Sequence, residues 1–167
     1  MNESMNIEVV SPHRGAGIIL HISSLPSKYG IGSLGQEAYD FADFLAKAGI
    51  KYWQVLPLGP TSYGDSPYQS FSSFAGNPYF IDLDLLIEEE YLLVEDLEDM
   101  DFGHDPTKVD YGKLYENRYR VLRKAFERDR NKNPLKRREP RNAYIHDYAR
   151  FMTLKKTQGD KAWQNWD

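Results

Sequence analysis

The sequence predicts an α/β fold built around a parallel β-α-β unit. Residues 51–58 are an apolar run with the composition of a strand that is covered on both faces, and residues 17–22 are a second compact apolar run. Between the two runs, apolar residues recur at helical spacing and stop at Gly49, a residue type common just after a helix end. A helical connection of this length joins parallel strands with a right-handed crossover, so the two strands should lie side by side and parallel.

The connection between the strands contains a loop and then a helix. Residues 23–32 carry turn-forming residues and predict the loop. Ser33 and Gln36 have the spacing of a capping box, which predicts that the Ser33 side chain caps the first turn of the helix. The apolar stripe of the helix comprises Ala38, Phe41, Ala42, Leu45 and Ala48.

The second strand runs into a long loop, residues 60–77, in which aromatic and polar side chains are interleaved. Flat rings combined with hydrogen-bonding groups suit a surface that binds sugar rings. The same composition also fits an ordered loop whose rings pack on their own domain, and composition alone leaves both interpretations open. The aromatic residues are Tyr63, Tyr68, Phe71, Phe74 and, just beyond the loop, Tyr79; the polar ones include Asp65, Ser66, Gln69, Ser70 and Asn77.

Ligand sites of parallel β/α folds lie at the carboxyl ends of the strands. The loops over residues 23–32 and 60–77 should therefore share one face of the fold. His21, at the end of the first strand, would lie at that face, either as a ligand contact or as a structural histidine. Asp65 is the carboxylate of the aromatic loop, and no second carboxylate is identifiable on the same face.

The second half of the chain is predicted to be mainly helical. Residues 81–110 are acidic but carry many leucines, and the spacing of their carboxylates fits a solvated face better than a metal-binding loop. Helices are predicted over residues 110–130 and 142–156. Their apolar residues are Leu114, Val121, Leu122, Ala125 and Phe126 in the first, and Ile145, Tyr148, Ala149, Phe151 and Met152 in the second.

The charge reverses between these two helices. Residues 128–141 are rich in arginine and lysine, which is compatible with a nucleic-acid patch, but no nucleic-acid motif accompanies them and a solvated connector is favoured. Trp163 and Trp166 follow the last helix, and two indoles without later partners would leave a large apolar area exposed. The chain is therefore expected to be truncated at Asp167.

Composition excludes several classes of protein. The chain has 167 residues and no cysteine, so a disulfide scaffold and a thiolate metal site are excluded, and a cytoplasmic location is compatible. The net charge of −4 disfavours a dedicated nucleic-acid binder. Residues 1–14 predict an arm rather than a secretory signal, and no stretch predicts a membrane span. No phosphate-binding glycine motif is present and the histidines lack ligand-like spacing, so neither a cofactor nor a metal is expected.

Three segments resemble the N-terminal portion of a known family. They are GIILHISSLPSKYGIGSLG (residues 17–35), WQVLPLGPTSY (53–63) and GDSPYQSFSSFAGNPYFIDL (64–83), and DYARFMTLKKTQGDKAWQNWD (147–167) adds a further likeness. The family is the 4-alpha-glucanotransferases, the amylomaltases or disproportionating enzymes of the alpha-amylase-like barrel group. The resemblance implies that residues 15–84 hold the first two parallel strands of a (β/α)8 TIM-type barrel, and that residues 85–167 form a mainly helical inserted subdomain.

The resemblance also implies an activity, namely retaining transfer of α-1,4-glucan segments between maltooligosaccharides in starch and maltodextrin metabolism. Such a reaction uses an aspartate nucleophile and a glutamate acid/base, which the family takes from later barrel strands. None of those motifs occurs before Asp167, so the isolated 167-residue chain is predicted to be inactive. The expected partners are the glucan substrate and the remainder of the barrel or a second copy, with no nucleic acid or membrane.

Only the sugar-contacting loop is carried over from the resemblance residue by residue. Tyr68 matches the family tyrosine that stacks near the cleavage subsite, and Asp65, Ser66 and Gln69 occupy the neighbouring polar positions. His21 is the fifth substrate-binding candidate, although the Ile-Ser pair after it departs from the Pro-Thr more usual in the family. An alternative function, a non-catalytic or vestigial glucan-binding module, remains open at this point.

Overall fold

The computed structural model describes residues 14–62, 64–132 and 143–167. Its two strands and four helices follow the order expected of a β-α-β unit with a helical region after it. Short 3₁₀ turns at Ile22–Ser24, Pro78–Phe80, Val94–Asp96 and Trp163–Asn165 separate the longer elements. The strands and helices are β1 (Gly17–Ile19), α1 (Gln36–Lys47), β2 (Tyr52–Gln54), α2 (Leu83–Glu88), α3 (Tyr111–Lys132) and α4 (Ala143–Thr157).

The two strands pair in parallel, which confirms the predicted β-α-β unit. Ile18 lies opposite Trp53, and the ladder is extended by a hydrogen bond from the Leu20 amide to the Gln54 carbonyl. Each strand has only three residues, so the predicted lengths were too great. The prediction that the second strand is covered on both faces is also wrong within the described residues, because Tyr52 and Leu58 are 53% and 39% exposed there and β2 has a single strand neighbour.

The start of α1 differs from the predicted capping box. Gly35 occupies the N-cap position, and no side chain caps the helix. The buried Ser33 hydroxyl instead donates to Asp82, whose other carboxylate oxygen accepts the Leu85 amide and so caps α2. Gly35 permits this arrangement, since a Cβ at that position would lie 2.0 Å from an Asp82 oxygen. Ser33 therefore fastens the loop after β1 to the start of the helical region.

The end of α1 confirms the stop predicted at Gly49. Gly49 has φ +72°, the left-handed conformation that glycine adopts without steric cost. The Gly49 amide donates to Ala46 and the Ile50 amide donates to Leu45. This pair of bonds is a Schellman motif, which satisfies the last carbonyls of the helix and turns the chain back toward β2.

Helix α3 follows its predicted limits, but its buried face is not purely apolar. Leu114, Val121 and Ala125 are buried as predicted, whereas Phe126 is 52% exposed. Arg118 is fully buried, and its Nη2 donates to the backbone carbonyls of Tyr79 and Ile81, which close the loop after β2. Burial lowers the pKa of Arg118 to about 10, so the guanidinium remains charged at neutral pH.

One hydrophobic cluster joins the β-α-β unit to the helical region. The loop after β1, the turn at residues 79–83 and helix α3 all contribute side chains to it, so the loops at the strand ends rest on a shared core. The predicted division into domains at residue 84 stays a prediction. The buried members are Ile22, Leu25, Ile31, Tyr79, Phe80, Leu83, Leu92, Phe102, Leu114, Val121 and Ala125.

The start of the basic stretch pairs with the acidic segment. Arg128 lies 2.7 Å from Asp96, and Lys132 lies 2.8 Å from Glu90. These contacts fit the connector interpretation, because Arg128 and Lys132 form ion pairs with carboxylates of the same chain. Residues 133–142 of the stretch and residues 1–13 of the predicted arm lie outside the described residues. No helix in the described ranges combines the length and the apolar character needed to cross a membrane.

Helix α4 has the predicted limits to within one residue, but not every predicted inward residue is covered. Tyr148, Phe151 and Met152 are half-buried, while Ile145 and Ala149 are exposed. Of the two tryptophans, Trp166 packs against Phe151 with a ring separation of 5.5 Å. Trp163 is 65% exposed, so the predicted exposure of indole surface holds for one of the two rings.

Candidate functional site

A cavity of about 140 Å³ opens where the chain leaves β1 and β2. His21 follows β1 and Leu56 follows β2, and the loops after both strands contribute further lining residues. The two loops therefore share one face, as the parallel topology requires. The lining consists of His21, Ser23, Ser24, Leu56, Gly59, Thr61, Asp65, Pro67, Asn77, Phe80 and Tyr111.

His21 is held in one orientation by contacts on two sides. Its Nδ1 accepts a hydrogen bond of 3.2 Å from the Leu56 amide, and its ring meets Phe80 edge to face at 5.4 Å. Burial lowers the pKa of His21 below its ordinary value of 6.5. A neutral imidazole that accepts at Nδ1 carries its proton on Nε2. His21 thus has a structural role at Nδ1 and leaves Nε2 as a hydrogen-bond donor, while its contact with a ligand stays a prediction.

The first part of the aromatic loop folds back on itself as a small hairpin. Thr61 and Ser70 form an antiparallel bridge, and the Ser62 amide donates to the Gln69 carbonyl. At its tip, Gly64 and Asp65 both have positive φ, +92° and +56°. Aspartate tolerates this conformation better than most residues, so the turn is accommodated without unusual strain. The turn places the Asp65 side chain in the wall of the cavity.

Asp65 is the one carboxylate among the described residues that line the cavity. It is half-buried, and burial raises the pKa of its carboxyl group. Its negative charge contributes to raising the pKa of both Tyr79 and Tyr111, and Tyr111 lines the same cavity. Asp65 is therefore a partly desolvated acceptor, suited to receive hydrogen bonds from the hydroxyl groups of a ligand.

Tyr68, Ser66 and Gln69 lie in the next turn and do not line the cavity themselves. Pro67 leads this turn, which is closed by a bond from the Gln69 amide to the Ser66 carbonyl, and the Ser66 hydroxyl accepts from the Tyr68 amide at 3.3 Å. The Tyr68 residue is 71% exposed, and Gln69 is exposed as well. The structure thus brings His21 and Asp65 into the cavity and places the other three predicted residues at its rim.

The remaining described rings of the aromatic loop contact other side chains of the protein, but Phe74 stays 74% exposed. Phe71 packs against Phe151 at 6.1 Å and lies under the Lys155 ammonium, while Phe74 packs against Tyr144 at 5.7 Å. Tyr79 is in the core, at 6% exposure, and Tyr63 lies outside the described residues. The packing interpretation therefore holds for Tyr79, while the sugar-binding interpretation stays a prediction. Tyr68 and Phe74 are the most exposed described rings of the loop, at 71% and 74%, and Tyr68 is the one in the turn beside the cavity.

Of the lining residues, only His21 and Asp65 were predicted as site residues, and Asn77 and Tyr111 are two of those that were not. Asn77 is buried, and its Oδ1 accepts the Tyr79 amide at 3.0 Å, which shapes the exit of the loop. Tyr111 comes from the first turn of α3, which Asp110 caps through a bond from the Lys113 amide. The DYG triplet does signal a helix start, but nothing in its local pattern indicates which side of the fold the tyrosine faces.

Comparisons with known proteins agree on one family. The sequence model of the family described as 4-alpha-glucanotransferase matches residues 20–167. The chain is 50% identical over 157 residues to a 4-alpha-glucanotransferase of Streptococcus pneumoniae and 51% identical over 151 residues to one of Clostridium butyricum, covering 92% and 89% of this chain. It spans 31% of the length of each relative.

A solved structure is similar in three dimensions as well. It is the amylomaltase from Streptococcus agalactiae in complex with acarbose, which superposes with a TM-score of 0.81 at 42% sequence identity. The similarity covers 93% of this chain and 32% of that one. The likeness therefore extends over nearly all of the chain, including both strand-end loops and the helical region.

Proposed function

This chain belongs to the 4-alpha-glucanotransferase family, and from that premise we propose that the protein transfers α-1,4-glucan segments between maltooligosaccharides by a retaining double displacement. The match of the family model over residues 20–167 is the observation that carries the proposal. The parallel pair β1 and β2 supports a finer assignment, in which they are the first two strands of a (β/α)8 barrel. The cavity then lies at the carboxyl end of that barrel, where such enzymes bind their substrates.

The part played by this chain in the reaction is to bind and orient the sugar. Tyr68 at the rim offers an exposed ring for the apolar face of a glucose unit. Inside the cavity, the His21 Nε2 proton is a donor and the Asp65 carboxylate is an acceptor for sugar hydroxyl groups. Ser66 and Gln69 lie in the turn that carries Tyr68 and are proposed to contact the same substrate.

The covalent chemistry needs groups that the cavity does not supply by itself. A retaining enzyme places two carboxyl groups about 5–5.5 Å apart, one as nucleophile and the other as acid and then base. Asp65 is a single carboxylate among the described lining residues, so we assign it to binding and assign the catalytic pair to residues beyond the described ones. The isolated 167-residue chain is accordingly proposed to bind glucan without turnover.

The test is disproportionation of maltotriose by the complete protein, beside the 167-residue chain and a heat-inactivated control. We expect the complete protein to release glucose and to form maltooligosaccharides longer than maltotriose, with retained anomeric configuration in a proton NMR time course. Saturable maltotriose binding by a complete protein that forms no transfer product would support the alternative, a glucan-binding module. A folded complete protein with neither binding nor transfer would overturn the proposal.

A further inference from the structure

Tyr111 lines the sugar-binding cavity, although it belongs to neither of the loops whose motifs predict the site. The other lining residues come from the segments after β1 and β2 and from the turn at Phe80, whereas Tyr111 is the first residue of α3. Its position is fixed by the Asp110 cap at the start of that helix and by ring contact with the buried Tyr79 at 6.4 Å. The helical region thus contributes a wall of the cavity through one side chain.

The surroundings of the Tyr111 hydroxyl are those of a binding group. Burial raises the pKa of this phenol, the Asp65 charge raises it further, and the nearby Ser23 hydroxyl lowers it. The phenol therefore stays protonated at neutral pH and is available as a donor. Ser23 and Asp65 belong to the loops after β1 and β2, so Tyr111 lies where both loops meet the helical region.

We propose that Tyr111 is a substrate-contacting residue that donates a hydrogen bond from its hydroxyl group to a sugar hydroxyl in the cavity. The inference rests on the proposed function, because it takes the ligand to be an α-1,4-glucan. Tyr111 and Asp65 both line the cavity, and in this proposal Tyr111 donates a hydrogen bond to the sugar while Asp65 accepts one. In this proposal Tyr68 stacks on the sugar at the rim of the cavity, whereas Tyr111 donates a hydrogen bond to it inside the cavity.

The discriminating variant is Tyr111→Phe in the complete protein, since it keeps the ring and removes only the hydroxyl group. Tyr39→Phe is the matched control, because Tyr39 is 67% exposed on α1 and does not line the cavity. We measure the KM for maltotriose, the dissociation constant of maltotriose in the 167-residue chain and the thermal midpoint. Loss of one hydrogen bond is expected to raise both the KM and the dissociation constant of Tyr111→Phe by about fivefold without changing its thermal midpoint. The Tyr39→Phe variant should keep the parental values.

The outcomes separate this inference from the proposed function. An active parent whose Tyr111→Phe variant keeps the parental KM and dissociation constant overturns the role of Tyr111 and leaves the function in place. A lowered thermal midpoint with unchanged maltotriose affinity also overturns it, since the residue is then purely structural. A parent that neither binds nor transfers maltotriose overturns the proposed function, and the inference falls with it.

Discussion

Removing the Tyr68 ring should weaken glucan binding without weakening the fold. The residue is 71% exposed, and an aromatic side chain has about 150–250 Å² to bury, so about 140 Å² of Tyr68 is available to a ligand. A sugar stacked on one ring face covers about half of that area. At about 25 cal/mol per Å² the loss is about 1.8 kcal/mol, or about 20-fold in affinity. Because the ring makes few contacts in the fold, Tyr68→Ala should change the free energy of unfolding by less than about 0.5 kcal/mol.

The assay compares kcat/KM for maltotriose in the complete parent protein, in Tyr68→Ala and in Tyr39→Ala, with urea unfolding of each. Tyr39 is a suitable control because it is similarly exposed, at 67%, but lies on α1 away from the cavity. We expect kcat/KM to fall about 20-fold for Tyr68→Ala alone. A Tyr68→Ala protein that unfolds like the parent and keeps kcat/KM within about twofold of it would refute the stacking role.

Three further predictions concern the scaffold of the site. Gly30→Ala should lower the free energy of unfolding by about 2–4 kcal/mol, measured in urea, because a Cβ there meets the Phe102 carbonyl oxygen at 2.0 Å. Gly49→Ala is the control, since Gly49 has a similar φ but open space around it, and it should cost only about 1 kcal/mol. Equal losses of stability in the two variants would contradict the packing argument. Arg118→Met should lower the free energy of unfolding by about 2 kcal/mol in the same assay. The carbonyls of Tyr79 and Ile81 lose their donor, and this loss exceeds the gain from removing a buried charge. A variant as stable as the parent would argue against a stabilising role for these hydrogen bonds. NMR titration should give His21 a pKa below 6.5 in the folded protein. Because the unfolded chain then binds the proton more tightly, the contribution of neutral His21 to stability is complete above pH 6.5 and is lost as the pH falls through the folded-state pKa. A measured pKa at or above 6.5 would contradict the burial of His21.

Several features of the fold are predictable because their causes are local in the chain. Helical periodicity and a glycine stop defined α1, and the Schellman motif at Gly49 follows from that glycine. Alternation of apolar runs with one helix predicted the parallel pair. The capping box failed because its test, Ser33 with Gln36, considers only neighbours in sequence. In the folded chain the Ser33 hydroxyl donates to the buried carboxylate of Asp82, 49 residues away, instead of capping α1.

The candidate site divides in the same way. The SPYQ motif pointed to Tyr68 by resemblance, with Asp65 just before the motif, and the strand order indicated the face that they share with His21. Which rings meet other parts of the chain was not readable, because Phe71 and Phe74 contact rings of α4, 70 to 80 positions later. Helical spacing places Arg118 on the same stripe as Leu114 and Val121, but a charged residue is ordinarily expected to be exposed, and its carbonyl partners lie far away in sequence.

By itself, then, the sequence determined the element types, the parallel connection and the family, since these depend on short patterns and on motifs that are contiguous in the chain. Tertiary structure alone decided that Tyr111 lines the cavity, that Arg118 is buried against the loop after β2, and that Tyr68 is left exposed. The physical reason is that burial and hydrogen-bond partners depend on segments far apart in sequence. Their meeting depends on the packing of the whole core, which no local pattern records.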